Sequence, residues 1–205
     1  MTWRPLLDVL FPAQCANCNA LGAGLCDACV PRDGIVRVRF PALSVTAFGT
    51  YDGALRCAVL ALKDGRRDVA EALGRIVAPL VGADALLVPI PTTAKRRRVR
   101  GLDGVAIVAR AAAQIAGARV VPALEHRSGD AQRGRSRSQR LAARGRFACN
   151  PACVAARRVT LFDDVCTTGA TLLDCAGSVR EAGGIVEDAV VVAVTKSDRC
   201  GVFPA

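Results

Sequence analysis

The chain has 205 residues, 52% of them apolar and only 4% aromatic, so it has room for one α/β domain and a small appendage around a Val, Leu and Ala core. No apolar run approaches the roughly 18 residues that a membrane-spanning helix needs, and Leu6–Phe11 contains Asp8 and lacks the organisation of a signal peptide. The net charge of +10, carried almost wholly by arginine, points to polyanionic partners such as phosphates or nucleic acid. The expected compartment is the cytoplasm, where ten cysteines are metal ligands or core residues rather than disulfides.

The first element is a pair of knuckles, Cys15-x2-Cys18 and Cys26-x2-Cys29. Each has a Gly or Asn nearby to turn the chain, and together they offer four thiolates to a tetrahedral zinc. Residues 1–34 are too few to bury a core of their own, so the metal would supply folding energy. With no His or open position in view, the site is structural, and 35–205 follows as the second domain. Cys57, Cys175 and Cys200 are isolated and Cys149-x3-Cys153 lacks a partner pair; these read as small apolar residues. Cys166 is an oxidation-sensitive position.

Val45–Tyr51 reads as a strand and Asp52–Leu62 as an amphipathic helix, followed by a turn and a second helix from Asp68 to about Val81. Ala85–Pro91 is a short apolar run suited to a buried parallel strand. A basic loop over Thr92–Arg100 leads to the alanine-rich helix Gly104–Ala116 and a strand over Ala118–Pro122. Arg127–Gln139, rich in Gly, Ser and Arg, reads as a mobile loop. A short helix and strand precede the strand Arg158–Phe162, which delivers Asp163 and Asp164 at its solvent-facing end. The helix after them stops near Ala182-Gly183-Gly184, before a strand over Val186–Val194. Alternating strands and helices predict a parallel sheet covered on both faces, with ligands at the carboxyl ends of its strands.

Val159–Leu172 carries the most chemistry. An apolar strand runs into two adjacent carboxylates, then into the turn Cys166-Thr167-Thr168-Gly169-Ala170-Thr171, which opens a helix marked by Leu172, Leu173, Ala176 and Val179. Free N–H groups at a helix N-terminus favour a phosphate, Gly169 would let the backbone approach it, and the hydroxyls add donors. Asp163 and Asp164 are placed to accept from hydroxyls or hold a hard cation. A phosphate cradle beside paired acids suits a sugar phosphate.

This pattern resembles the PRPP-binding signature of type I phosphoribosyltransferases, with Thr160 where an aliphatic residue is usual. Zinc knuckles ahead of it narrow the resemblance to the ComF family, associated with competence and DNA uptake. Nearly the full chain is covered, including L-L-D-V-L-F-P before Cys15, Y-D-G-A-L-R…L-A-L-K-D-G-R-R-D from Tyr51 and V-P-I-P from Val88. The resemblance implies the type I phosphoribosyltransferase fold, PRPP and Mg²⁺ as ligands, and a nucleobase acceptor. It implies that Asp163 and Asp164 hold the ribose hydroxyls and that Thr167, Thr168, Gly169, Ala170 and Thr171 cradle the 5′-phosphate. Thr92, Thr93, Lys95 and Arg96 would take the diphosphate, and Gln132, Gly134, Arg137 and Arg140 would form a closing loop. The departures fall elsewhere: Thr93 replaces the usual His, Leu102-Asp103-Gly104 replaces F-N-Q, and the Asn expected after Arg140 is absent.

His126, the only histidine, reads as structural. The rival to enzymatic transfer is a non-catalytic protein of the DNA-uptake machinery, binding single-stranded DNA through the arginines of 127–146 alongside competence helicase or recombination-loading proteins. A PRPP sensor is the third reading. Phe147 is the one aromatic residue near the arginine segment for base stacking.

Overall fold

A computed structural model describes residues 12–32, 34–92, 103–127, 145–195 and 202–204. Among them are nine strands: β1 (Val36–Phe40), β2 (Leu43–Thr50), β3 (Leu86–Pro89), β4 (Arg119–Val120), β5 (Leu124–His126), β6 (Phe147–Cys149), β7 (Arg158–Cys166), β8 (Ile185–Val194) and β9 (Val202–Pro204). The helices are α1 (Gly53–Lys63), α2 (Arg67–Val77), α3 (Gly104–Ala116), the single turn α4 (Pro151–Val154) and α5 (Ala170–Glu181), with a 3₁₀ turn over Ala78–Leu80. None of the described helices is long and apolar enough to cross a membrane.

Seven strands form one sheet in the order β4-β3-β7-β8-β2-β1-β9. The first five are mutually parallel, and β1 and β9 add antiparallel at one edge. The expected parallel sheet flanked by helices is therefore present. Its strands alternate their apolar side chains between two cores. Leu87, Phe162, Val190 and Val192 pack with α1, α2 and α3 on one face. Val88, Leu161 and Val191 pack on the other with α5 and a separate two-stranded ribbon, β5–β6.

Several elements depart from the sequence-based expectations. β1 was not anticipated, nor was the β5–β6 pairing. β7 does not stop at Phe162: it continues through both acids to Cys166, with Asp163 opposite Val191 on β8. The second helix ends at Val77, where the chain tightens into the 3₁₀ turn and Pro79 removes a donor.

The cysteine module is docked on the domain. Cys15 and Leu25 are buried in the same core as Val69 and Leu73 of α2. A Cβ on Gly24 would lie 2.5 Å from the Asp68 and Val69 backbone, so only glycine lets the module sit against the start of α2. Arg66 binds the Gln14 carbonyl and the Asp68 carboxylate together. Helices α2 and α3 are equally close, since a Cβ on Gly74 would lie 2.4 Å from that of Ala111. Gly74→Val is accordingly expected to cost at least about 1–3 kcal/mol, read as a lower denaturant midpoint at unchanged slope.

Candidate functional site

In a parallel sheet, ligands gather where neighbouring strands send their connections in opposite directions. Here β3 continues to β4 on one side, while β7 continues to β8 on the other. The crevice outside the carboxyl ends of β3 and β7 holds a cavity of about 430 Å³. Ile90, Pro91 and Thr92 line it from the end of β3, and Asp163, Asp164 and Val165 from β7. Lys63 contributes from α1, Val105 from α3, Thr171 from α5, and His126, Arg146 and Phe147 from the β5–β6 ribbon.

The acid pair lies within the sheet, half-buried, rather than at an exposed strand end. Burial and the neighbouring Asp164 carboxylate raise Asp163 well above the ordinary carboxylate range, against the Asp164 N–H and the Lys63 charge. Asp164 N–H donates to Asp163 Oδ1 at 2.8 Å, and Val165 N–H to Asp164 Oδ1 at 2.7 Å. Lys63 Nζ stands 3.5 Å from Asp164 Oδ2 and 6.0 Å from the centroid of the Tyr51 ring. Lys63 pairs with Asp164, while burial and that neighbour disfavour ionisation of Asp163, an arrangement that ribose hydroxyls or a hard cation would relieve.

The turn Thr167–Thr171 joins β7 to α5, with Thr167, Thr168 and Ala170 exposed and Gly169 at the N-cap. Ala170 N–H donates to Thr168 Oγ1 at 3.4 Å. Packing by itself also requires glycine at 169. Its φ is +73°, and a Cβ there would meet the Phe40 ring at 2.4 Å, so β1 backs the turn directly.

Thr92 reaches the cavity, and its hydroxyl donates at 3.4 Å to Asp103 Oδ1, which also caps α3 by accepting from Ala106 N–H. Thr93, Lys95, Arg96, Gln132, Gly134, Arg137 and Arg140 lie outside the described residues. His126 ties the ribbon to the β3 loop, its Nε2 standing 2.9 Å from the Pro91 carbonyl and its ring 4.6 Å from that of Phe147. Phe147 is buried beneath these contacts, so it offers no free face for a nucleobase.

Lys63, Arg146 and Asp174 were not singled out from sequence. Lys63 sits inside the A-L-K-D-G-R-R-D stretch, the one signal that marked it. Arg146 and Asp174 meet only through the fold: the Arg146 backbone N–H and Nε–H both donate to Asp174 Oδ2, at 3.1 and 3.0 Å.

At the front of the chain, the sulfurs of Cys15, Cys18, Cys26 and Cys29 all lie within 4.8 Å of one another. Cys18 and Cys26 are 3.6 Å apart, near the edge of about 3.8 Å that a tetrahedron with 2.3 Å Zn–S bonds demands. Burial opposes ionisation of Cys15, but backbone N–H groups of Cys18, Cys26 and Asn17 outweigh it and bring the thiol down to about 6. Asn17 donates to Cys29 and favours its thiolate, yet Cys18, burial and the other two thiols push it up to about 12. Four thiols gathered this closely could hold a divalent cation such as zinc, with each cysteine offering one ligand atom.

No family model matches the sequence, and no curated protein does. Among solved structures, the chain is similar to the structure of the allosteric regulatory enzyme of purine biosynthesis, with a TM-score of 0.45 and 19% identity. That similarity covers 60% of this chain and 26% of the other, so the chain spans about a quarter of that protein's length.

Proposed function

We propose that the chain is a phosphoribosyltransferase-like protein of the type I fold that binds PRPP with Mg²⁺ and transfers the phosphoribosyl group to a nitrogen base, in a ComF-like role in DNA uptake. Residues 1–34 form its zinc module and 35–205 its catalytic domain. The observation that carries this reading is the convergence of Asp163 and Asp164 with Thr171 on one cavity between the carboxyl ends of β3 and β7.

In this reading the ribose hydroxyls donate to Asp163 and Asp164, whose crowded charge is thereby relieved. The 5′-phosphate accepts from the backbone N–H groups of 167–171 and from the Thr hydroxyls. Thr92, which lines the cavity, would contact the diphosphate, a role the family resemblance extends to Thr93, Lys95 and Arg96. Bound with PRPP, Mg²⁺ supplies neutralisation of the leaving diphosphate. The bond from ribose C1 to the diphosphate oxygen breaks, one from C1 to the base nitrogen forms, and positive charge gathering at the sugar is stabilised by the carboxylates beneath it. The Phe147 and His126 ribbon closes one side of the cavity and limits water.

The test is incubation with PRPP, Mg²⁺ and a panel of nucleobases, read as released diphosphate. Base-dependent release is the expected result. Saturable PRPP binding without release would make the protein a sensor. Absence of both, together with salt-sensitive oligonucleotide binding, would transfer the function to the nucleic-acid reading.

A further inference from the structure

The phosphate end of the proposed site is built from N–H groups and hydroxyls, and the fold adds one guanidinium beside them. Arg146 Nη2 lies 3.4 Å from Thr171 Oγ1, in the first turn of α5. Its aim is fixed from several directions. Asp174 takes both its backbone N–H and its Nε–H on a single carboxylate oxygen. The guanidinium carbon also stands 5.7 Å from the centroid of the Phe147 ring.

Each residue around Arg146 serves this arrangement. Gly145 adopts φ +112°, and a Cβ there would lie 2.9 Å from Asp174 Oδ1, so a larger residue would crowd the carboxylate that does the holding. Ser178, buried, donates to the carbonyl of Phe147 at 3.1 Å and fixes the ribbon to α5. Thr171, Asp174 and Ser178 follow at helical spacing and present one face of α5 to Gly145-Arg146-Phe147. A solvated surface arginine needs no such support. Arg146 remains 61% exposed in its side chain while Asp174 is 19% exposed, so the anchor is covered and the free end is not. With Nε on Asp174 and Nη2 donating to Thr171 Oγ1, Nη1 is the donor left, among the described residues, for an acceptor in the cavity that Arg146 lines. A planar fork already held in place loses little freedom when it binds an anion.

We infer that Arg146, aimed by Asp174, is the specificity-determining cation for the phosphate group of the bound sugar. The inference rests on the reading that this cavity takes a ribose phosphate. It adds a side chain that selects the phosphorylated sugar, where the turn alone offers neutral donors.

The experiment is calorimetry of the full chain with ribose 5-phosphate, comparing the parent with Arg146→Ala, Arg146→Lys, Asp174→Ala and the double Ala variant. Arg146→Ala is expected to weaken binding by about tenfold or more, as loss of a charge-assisted hydrogen bond does. Arg146→Lys should recover part of that affinity, because the charge remains without the fork. Asp174→Ala should lose affinity in the same direction, and the double variant should bind no worse than Arg146→Ala, since the two act as one unit. Thermal melts of all variants separate lost binding from lost folding. If the parent binds and a folded Arg146→Ala binds equally well, this inference is overturned and the proposed function stands. If the parent binds neither ribose 5-phosphate nor PRPP, the proposed function itself fails and takes the inference with it.

Discussion

Replacing Asp163 and Asp164 together with Asn is expected to lower PRPP affinity by at least about tenfold per site, while raising the stability of the free protein. Each carboxylate loses charge-assisted hydrogen bonds worth roughly 1.5–3 kcal/mol, and about 1.4 kcal/mol is a factor of ten in Kd. The opposite effect on stability follows from the raised pKa of Asp163, caused by burial and the adjacent Asp164. A carboxyl held above its unfolded value favours the folded state fully below the unfolded pKa. That contribution disappears as pH climbs through the folded pKa, when the buried group must ionise beside its neighbour. Asp163→Asn removes the ionisation, so its melting temperature should exceed the parent's most clearly at the alkaline end. For a chain of this size roughly 1 kcal/mol moves the midpoint by about 2–4 °C. Calorimetry with PRPP and Mg²⁺, paired with melts across pH, reads both effects. A double Asn variant that binds PRPP as tightly as the parent would remove the acids from the site.

Stripping the metal is expected to have the largest effect on stability. The purified protein should carry near-stoichiometric zinc, and Cys18→Ser or Cys26→Ser should lower metal content and solubility together. Structural zinc contributes about 10–16 kcal/mol in isolated finger peptides, comparable with the about 5–15 kcal/mol of net stability that native proteins hold. The loss should not stay local, because Cys15 and Leu25 are part of the core that α2 completes. Chelation should therefore lower the midpoint of the whole unfolding transition, followed by circular dichroism. Full stability in a metal-free preparation would refute the structural role.

What the sequence disclosed follows local physics. The helix Gly104–Ala116 appears with its expected bounds because Asp103 caps one end and Gly117, at φ +74°, stops the other. The buried run around Leu86–Pro89 could only be a central strand once helices covered both faces. β1 carries the Val–Arg alternation of a half-buried strand, a readable but short pattern of five residues that its longer partner strand overshadowed. β5 and β6 have three residues each, too few for any period, and pair across a sequence gap. The acids were legible as chemistry but their setting was not. Nothing in Phe162-Asp163-Asp164 says that β8 pairs alongside and turns an exposed strand end into a half-buried one. Lys63 and the Arg146–Asp174 clamp arise from tertiary approach, which spacing along the chain does not encode. The knuckles were readable because four ligands at short intervals leave few geometries open.

Arg66 gives the two ends of this molecule a common joint. It grips the Gln14 carbonyl, next to Cys15, and the Asp68 carboxylate, and only three residues before it Lys63 faces Asp164. The turn between those residues thus works as a crossbeam, with the thiol cluster bearing on one end and the acid pair on the other. Amide deuterium uptake over 63–68 becomes a strain gauge for both sites. It should quicken when the cluster is emptied and slow when the acids are satisfied.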